Sequence, residues 1–202
     1  METSKVTLSA QEWALVQDPT VILTKNLVIE KVYALFAQAA TSYQKILADL
    51  PEIQQGDWLH MAPKISKGEK YNDLPWVMLD YPRQFALNDT RAIRSFFGWG
   101  SKFSIHLILQ GLSRDQWLSK ARYWIDTAHP DWMIDLSDDP WQHHPDTQRC
   151  VPLYKMNEQE LKLRPFIKYS CWQPLTAWNT LPEEWSAIFR EWVRIPGSAE
   201  KV

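Results

Sequence analysis

The chain has 202 residues, of which 45% are hydrophobic and 23% are charged, and its formal net charge is −2. This balance is that of an ordinary globular chain, and the length favours one domain over residues 1–202. Basic residues are not concentrated in either half, so we expect no nucleic acid as a partner. The longest apolar run, residues 103–109, is too short for a membrane span, so no membrane is expected either.

Cysteine and tryptophan usage narrow the class of protein further. The two cysteines, Cys150 and Cys171, are too few for a secreted disulfide scaffold, and the N-terminus has no apolar signal-peptide segment. These features predict a cytoplasmic protein. Twelve tryptophans occur along the chain without a fixed spacing, which excludes a repeat protein. Most indoles are expected in the core, and some are expected to line a cleft.

Two helices are predicted at the N-terminus. Ser9 to Glu12 has the pattern of a capping box, which begins a short helix through Gln17. Asp18 and Pro19 begin a second helix, in which apolar residues recur at three- and four-residue steps as far as residue 50. An amphipathic helix of this length needs an apolar surface to pack against.

The middle of the chain mixes loops, strands and short helices. Residues 51–75 show no periodic pattern and are predicted to be a long loop, followed by a strand over residues 76–81. Residues 89–97 predict one or two helical turns. In residues 103–110 apolar and more polar side chains alternate, which predicts a strand with one apolar face. A capping box at 113–116 then predicts another helix.

The last third of the chain completes an α+β pattern. We predict strands over residues 132–136 and 166–172, a short helix capped by Asn157, and a final helix from Thr180 that ends at residues 195–197. This order indicates an antiparallel or mixed sheet with helices packed on one face. The 18–50 and 181–194 helices are expected to cover the face that carries Phe103, Ile105, Leu107 and Leu109.

Three segments carry a resemblance to a known group of proteins. DPTVILTKNLVIEKVYALF (18–36), KISKGEKYNDLPWVMLDYPR (64–83) and AIRSFFGWGSKFSIHLILQG (92–111) resemble an uncharacterised bacterial protein family. The resemblance covers about the first half of the chain. No activity is known for that family, so the resemblance implies no functional residue and no cofactor.

A ligand site is predicted around the segment that begins at Lys64. Arginine has a planar fork that can hold a carboxylate or a phosphate with two hydrogen bonds, whereas lysine is a flexible point charge. We therefore expect Arg83, with Arg91 or Arg94, to fix a small-molecule anion. Lys64, Lys67 and Lys70 would attract it, and Tyr71 and Trp76 would form aromatic walls.

A second group of candidate residues lies on the polar face of the 103–110 strand. His106 shares that face with Ser104 and Gln110, and the 166–172 strand offers Lys168 and Ser170. If the two strands pair, a titratable imidazole lies at the floor of a pocket.

The segment 126–146 is rich in aspartate and histidine and contains no lysine or arginine. Carboxylates and imidazoles bind transition metals, but the spacing matches no metal motif, so we expect no tightly bound metal.

Three function classes follow from these patterns. The first is a domain that binds a small anionic or aromatic ligand in a tryptophan-lined cleft. The alternatives are a protein–protein interaction module that uses exposed aromatic residues and a metal-dependent enzyme that uses segment 126–146. The reaction, the cofactor and the oligomeric state stay open.

Overall fold

Seven strands form one antiparallel sheet in the order β1-β2-β3-β4-β7-β5-β6. The computed structural model describes residues 6–50, 60–143 and 149–194. The strands are β1 (Lys64–Tyr71), β2 (Leu74–Ala86), β3 (Asp89–Gly98), β4 (Phe103–Gln110), β5 (Met133–Asp135), β6 (Cys150–Pro152) and β7 (Phe166–Gln173). The helices are α1 (Ala10–Gln17), α2 (Thr20–Ala48), α3 (Gly111–Ser119), α4 (Ala121–Asp126), α5 (Glu158–Lys162) and α6 (Leu181–Trp192). The α+β prediction is confirmed.

Helices α2 and α6 cover one face of this sheet, as predicted. The rings of Tyr43 on α2 and Phe189 on α6 stack with centroids 3.9 Å apart, and the ring of Phe103 on β4 lies 6.1 Å from that of Trp185. The four apolar residues predicted to face the helices are all buried: Phe103, Ile105, Leu107 and Leu109. The hydrophobic core therefore lies between this face of the sheet and the two helices.

Many of the tryptophans belong to this core, and hydrogen bonds satisfy some of their indole nitrogens. Trp117, Trp185 and Trp192 are fully buried. The indole N–H of Trp117 donates to the Tyr169 hydroxyl at 2.9 Å, and that of Trp185 donates to the Gln173 side chain at 3.0 Å. Trp117 and Trp185 thus keep their apolar stabilisation without an unpaired donor, whereas the buried indole nitrogen of Trp192 has no hydrogen-bond partner among the described residues.

The predicted loop of residues 51–75 is wrong over its second half, because residues 64–71 form strand β1. β1 and β2 make a hairpin whose two turn residues, Asn72 and Asp73, have φ angles of 51° and 60°. Both central residues of the commonest two-residue hairpin turn need positive φ, which asparagine and aspartate tolerate better than most residues. The predicted 76–81 strand is accordingly longer, spanning Leu74–Ala86. Residues 51–59 lie outside the described ranges.

The predicted helical turns at residues 89–97 are also wrong, since this segment is the central strand β3. Its apolar residues Ala92, Ile93, Phe96 and Phe97 fall at a spacing that a helix would share. Both faces of β3 are buried, so its apolar residues do not alternate with polar ones. Periodicity alone cannot separate a doubly buried strand from a helix.

The predicted helix starts were confirmed in part. Ser9 and Glu12 form the predicted capping box of α1, and Asn157 caps α5 by accepting from the amide of Gln159 at 2.8 Å. The box predicted at Ser113 is not used. Helix α3 begins at Gly111, and the amide of Ser113 donates instead to the Asp89 carboxylate at 2.8 Å. The predicted end of the last helix at residues 195–197 lies outside the described ranges.

The described helices were also compared with the requirements of a membrane span. None of those within residues 6–50, 60–143 and 149–194 combines the length and apolar character that crossing a bilayer requires.

The core predicts a large cost for truncating β4. Leu107 is fully buried, so replacing it with alanine removes apolar contacts and leaves a cavity. We expect Leu107→Ala to lower the free energy of unfolding by about 2–5 kcal/mol in urea titrations. Leu163→Ala is the control, because Leu163 is 85% exposed and its truncation should change stability by less than about 0.5 kcal/mol. Equal effects of the two variants would contradict this account of the core.

Candidate functional site

The face of the sheet opposite α2 and α6 carries a row of polar residues, hereafter the polar face. Asp80, Arg94, His106 and Ser170 lie directly opposite one another on the neighbouring strands β2, β3, β4 and β7. Lys168 lies two residues from Ser170 along β7, so its side chain projects from the same face. Asp135 lies two residues from Met133 along β5, and Met133 is the cross-strand partner of Ser170, so Asp135 projects from this face as well. All six are buried.

Two ion pairs neutralise the charges on the polar face. Arg94 grips Asp80 with two hydrogen bonds, from Nε to Oδ1 at 2.6 Å and from a terminal nitrogen to Oδ2 at 2.9 Å. Lys168 donates to Asp135 at 2.8 Å. A buried charge is tolerated when it is paired and its remaining donors are satisfied. The two pairs leave the row close to neutral.

His106 lies at the centre of the polar face, between two hydroxyl groups. Its Nδ1 is 2.8 Å from the Ser170 hydroxyl, and its Nε2 is 2.9 Å from the Ser104 hydroxyl. Burial, reinforced by the positive charge of Lys168, lowers the pKa of His106 well below its ordinary value. The predicted adjacency of His106, Ser104 and Ser170 is therefore found. The imidazole is fully buried, however, and does not line either cleft described below.

Residues 136–143, hereafter the strap, lie over the polar face and are tied to it by side chains of several strands. The Ser137 amide donates to Asp135 at 2.9 Å, and the Ser137 carbonyl accepts from Arg164. The carbonyl of Gln142 accepts from Lys168. The amide of His143 donates to the Tyr71 hydroxyl. The strap thus accepts hydrogen bonds from side-chain N–H groups that the ion pairs leave unsatisfied.

The hydrogen bonds of His143 define its tautomer. A terminal guanidinium nitrogen of Arg94 lies 3.0 Å from Nε2 of His143, and guanidinium nitrogens only donate. Nε2 is therefore an acceptor, and the proton of the neutral ring lies on Nδ1. Burial, with Lys168 and Arg94 nearby, lowers the pKa of His143 well below its ordinary value. Nδ1 is buried without a hydrogen-bond partner among the described residues.

The structure brings together four of the six predicted ligand residues and separates the other two. Arg94 and His106 lie on the polar face, and Tyr71 packs its ring 5.0 Å from that of Phe96 on the same side. Arg83 shares this face, because its cross-strand partner Ala92 lies two residues from Arg94. The other two predicted residues are on the helix-covered face of the sheet: Arg91, opposite Leu109, and Lys67, opposite Val77.

A shallow cleft of about 550 Å³, hereafter the arginine cleft, lies at one end of the polar face. It is lined by Phe85, Ala86, Leu87, Thr90, Arg94 and Trp141. The Arg94 guanidinium carbon lies 4.8 Å from the centroid of the Trp141 ring, which is a cation–π contact. The rings of Phe85 and Trp141 are 5.8 Å apart.

A larger cleft of about 1040 Å³, hereafter the edge cleft, opens where β5 stops pairing with β7. β5 pairs with β7 only at Met133–Ser170 and Ile134–Tyr169, so residues 171–173 have β4 on one side and no described strand on the other. The cleft is lined by Lys102, Thr127, His129, Pro130, Asp131, Trp132, Met133, Cys150, Cys171, Trp172, Gln173, Pro174, Glu184, Ala187, Ile188, Arg190 and Glu191. None of the six predicted ligand residues is among them.

The sequence signals that relate to the edge cleft were weak. Some tryptophans are expected from the sequence to line a cleft, and Trp132 and Trp172 do so. However, nothing in the sequence indicates that β5 is only three residues long. The edge cleft, which is the larger of the two clefts, therefore lies beside the polar face and is not lined by the charged residues of that face. Size and apolar lining make it the better ligand site, since the ionic groups of the polar face already bind one another.

The edge cleft is suited to binding more than to nucleophilic chemistry. Burial, helped by the nearby charge of Asp131, raises the pKa of the Cys171 thiol to about 12. A thiol with this pKa stays protonated near neutral pH, and the thiolate is the reactive form. His106 and His143 are buried away from the cleft and do not line it.

The described part of the aspartate- and histidine-rich segment, residues 126–143, does not bring its side chains together at one point. His129 is exposed, whereas His143 is buried against Arg94. Within residues 6–50, 60–143 and 149–194, no group of three or more His, Cys, Asp or Glu side chains is placed to hold a metal ion. His144 and Asp146 lie outside these ranges.

Comparison of the chain with protein-family models, with curated proteins and with solved structures gave no significant match. The functional argument therefore rests on the chemistry of the clefts.

The two buried histidines predict a loss of stability in mild acid. In the unfolded chain each has a pKa near 6.5, whereas each folded-state pKa is lower, so the unfolded state binds more protons below that pH. We expect the free energy of unfolding to fall, by up to about 1.4 kcal/mol per pH unit for each histidine, as the pH drops below about 6.5.

Urea titrations between about pH 7.5 and 5.5 measure this slope. His143→Gln should flatten it, because one of the two titrating groups is gone. A wild-type stability that is constant over this range would contradict the neutral, buried state of His106 and His143.

Proposed function

We propose that this protein binds a small molecule with an aromatic or other apolar body in the edge cleft. The observation that carries the proposal is the cleft itself. Its volume of about 1040 Å³ is at the upper end of the sizes usual for small-molecule sites, and tryptophan, methionine and isoleucine side chains line it. Sites of this kind hold the ligand body by apolar contact and orient it with a few polar groups.

The walls of the cleft favour a flat, polarizable ligand. Trp172 and Trp132 offer aromatic surfaces, and Met133 offers a thioether, which makes favourable contacts with rings. The cavity also borders Ile188 of α6. An aromatic ring placed between β7 and α6 would therefore contact apolar groups on both sides.

The mouth of the cleft has no net preference for one sign of charge. Lys102 and Arg190 are offset by carboxylates of Asp131, Glu184 and Glu191, while His129 lies at the same rim. Polar substituents of the ligand can find a donor or an acceptor there, but a bare anion would gain little. This distribution supports a ligand recognised mainly through its apolar body.

Filling the cleft tests the proposal. Ala187 is exposed and lines the cleft, so an indole in its place blocks the opening without disturbing the core. Probes are 8-anilinonaphthalene-1-sulfonate and a panel of naphthalene and indole compounds with carboxylate, amine or neutral substituents, measured by calorimetry. We expect Ala187→Trp to weaken binding at least tenfold, which is about 1.4 kcal/mol.

Glu183→Trp is the matched control, because it adds the same side chain to the same helix at an exposed position outside the cleft. It should leave the affinity unchanged. The proposal fails if no probe binds wild type, or if Ala187→Trp binds the probes as tightly as wild type does.

A second candidate function, binding of a small anion in the arginine cleft, is favoured by Arg83. Asp80 offsets the charge of Arg94, whereas Arg83 has no ion-pair partner within the described ranges, and its buried Nε has no hydrogen-bond partner there. Arg83 is not part of the lining of the arginine cleft, but it lies beside the cleft, on the same face as Thr90 and Arg94 and between Phe85 and the ion pair. An anion with an aromatic group would meet a guanidinium and the rings of Phe85 and Trp141.

A thermal-shift screen of phosphates, carboxylates and nucleotides tests the anion site. Removing a charge-assisted contact should weaken binding of a hit to Arg83→Ala by roughly 1.5–3 kcal/mol, and added salt should weaken binding to wild type. Arg122→Ala is the control, since the Arg122 side chain is exposed and pairs with Asp126. If no anion stabilises wild type, or if Arg83→Ala responds as wild type does, the arginine cleft binds no anion.

A further inference from the structure

Residues 6–27, hereafter the arm, extend from the body of the protein without packing against it. Helix α1 has no buried residue, and the first buried residue of α2 is Ile29. Lys25 reaches the body, where its ammonium lies 2.9 Å from the Glu69 carboxylate on β1. Apart from Lys25, every side chain of the arm is exposed.

This surface is strongly apolar. Nine large hydrophobic side chains of the arm are exposed, at 45% to 99% of their full accessibility: Val6, Leu8, Trp13, Leu15, Val16, Val21, Ile22, Leu23 and Leu27. Single exposed hydrophobic residues are normal on protein surfaces, but nine on one segment of 22 residues are more than a monomer usually exposes, and such a concentration marks an interaction site.

The stability of α1 also requires a packing surface. α1 has eight residues, and its first turn is closed by the Ser9–Glu12 capping box. Isolated helices this short are marginal in water, because few hydrogen bonds offset the entropy of ordering the backbone. No residue of α1 is buried by the described part of the chain, so a partner that covers α1 would stabilise it.

We propose that the arm is the dimerisation surface of the protein and that its occupant is the arm of a second copy. Each of the nine side chains exposes on the order of 100 Å² of apolar surface, which is roughly 800–900 Å² for the whole arm. A standard stable interface buries about 800 Å² on each side. The apolar surface of the arm is therefore of the size that a stable dimer buries.

The charges of the arm support a protein partner over a lipid surface. Its charged residues are Glu12, Asp18 and Lys25, and Lys25 is already paired with Glu69. Helices that lie on membranes carry lysine and arginine on their polar face, which attract anionic lipid, and the arm has the opposite balance.

The small number of charges on the arm also favours a second copy of the arm as its partner over a protein with a strongly charged surface. In a two-fold symmetric dimer the same patch meets itself, so a patch dense in one charge would repel its copy. The arm is apolar over most of its length, so it is complementary to itself. Two arms bring together four helical segments, which is the number that forms a common helical bundle.

Sedimentation velocity of the full chain over a concentration series tests the dimer. We expect wild type to be a dimer and the double variant Leu23→Glu, Leu27→Glu to raise the dissociation constant at least about 100-fold, because it places charge in the centre of the interface. Both leucines are exposed in the single chain, so circular dichroism should show the double variant folded. Leu163→Glu, at a leucine that is 85% exposed and far from the arm in sequence, should dimerise as wild type does.

Several outcomes would overturn the proposal. Wild type that remains a monomer at every concentration would show that the arm does not pair with its copy. A dimer that survives the double variant, or that Leu163→Glu also loses, would place the interface elsewhere. Monomeric wild type that binds phosphatidylcholine–phosphatidylglycerol vesicles through Leu23 and Leu27 would instead identify the arm as a lipid-binding segment. The ligand measurements on the edge cleft are independent of all these results.

Discussion

The burial of ionised side chains on the second face of the sheet is the constraint on which the rest of this structure depends. Arg94 and Lys168 are stable there only because Asp80 and Asp135 lie within hydrogen-bond distance. Asp80 and Arg94 are direct cross-strand partners, so a shift of β2 against β3 by one residue would turn the Asp80 carboxylate toward α2 and α6 and leave Arg94 unpaired. The ion pairs therefore help to fix the register that also aligns the apolar core.

The strap follows from the same constraint. A paired lysine or arginine still has donors left over, and a buried donor without an acceptor destabilises the fold. Lys168 uses the carbonyl of Gln142, and Arg94 uses the ring of His143. The strap is thus held over the polar face by hydrogen bonds that the buried donors of β3 and β7 require.

The predictable part of the fold is the part with one apolar face. Helix α2 buries one side only, and strand β4, although buried on both faces, carries its polar residues on one of them, so the apolar residues of each recur with the period of the element. Strand β3 is buried on both faces, and strand β1 carries few apolar residues, so neither shows a period that the sequence could reveal. The β1–β2 turn uses asparagine and aspartate without glycine, which removed the strongest hairpin signal.

The contacts of the candidate sites also differ in whether the sequence predicts them. The neighbourhood of His106 and Ser170 follows from alternation along two strands, once those strands pair. The partnership of Arg94 with His143 joins residues 49 positions apart through an irregular segment, and no periodic pattern encodes it. The edge cleft depends on where β5 ends, and strand ends are poorly marked when they are not followed by a tight turn.

The position of β1 gives its lysines a different role from the one the sequence suggested. β1 is the outermost strand of the sheet, so one side of its backbone offers donors and acceptors to any extended chain that approaches. Lys64, Lys67 and Lys70 are exposed along it, and lysine side chains on an edge strand disfavour pairing with a strand of another chain. The lysines of this edge therefore act against edge-to-edge aggregation.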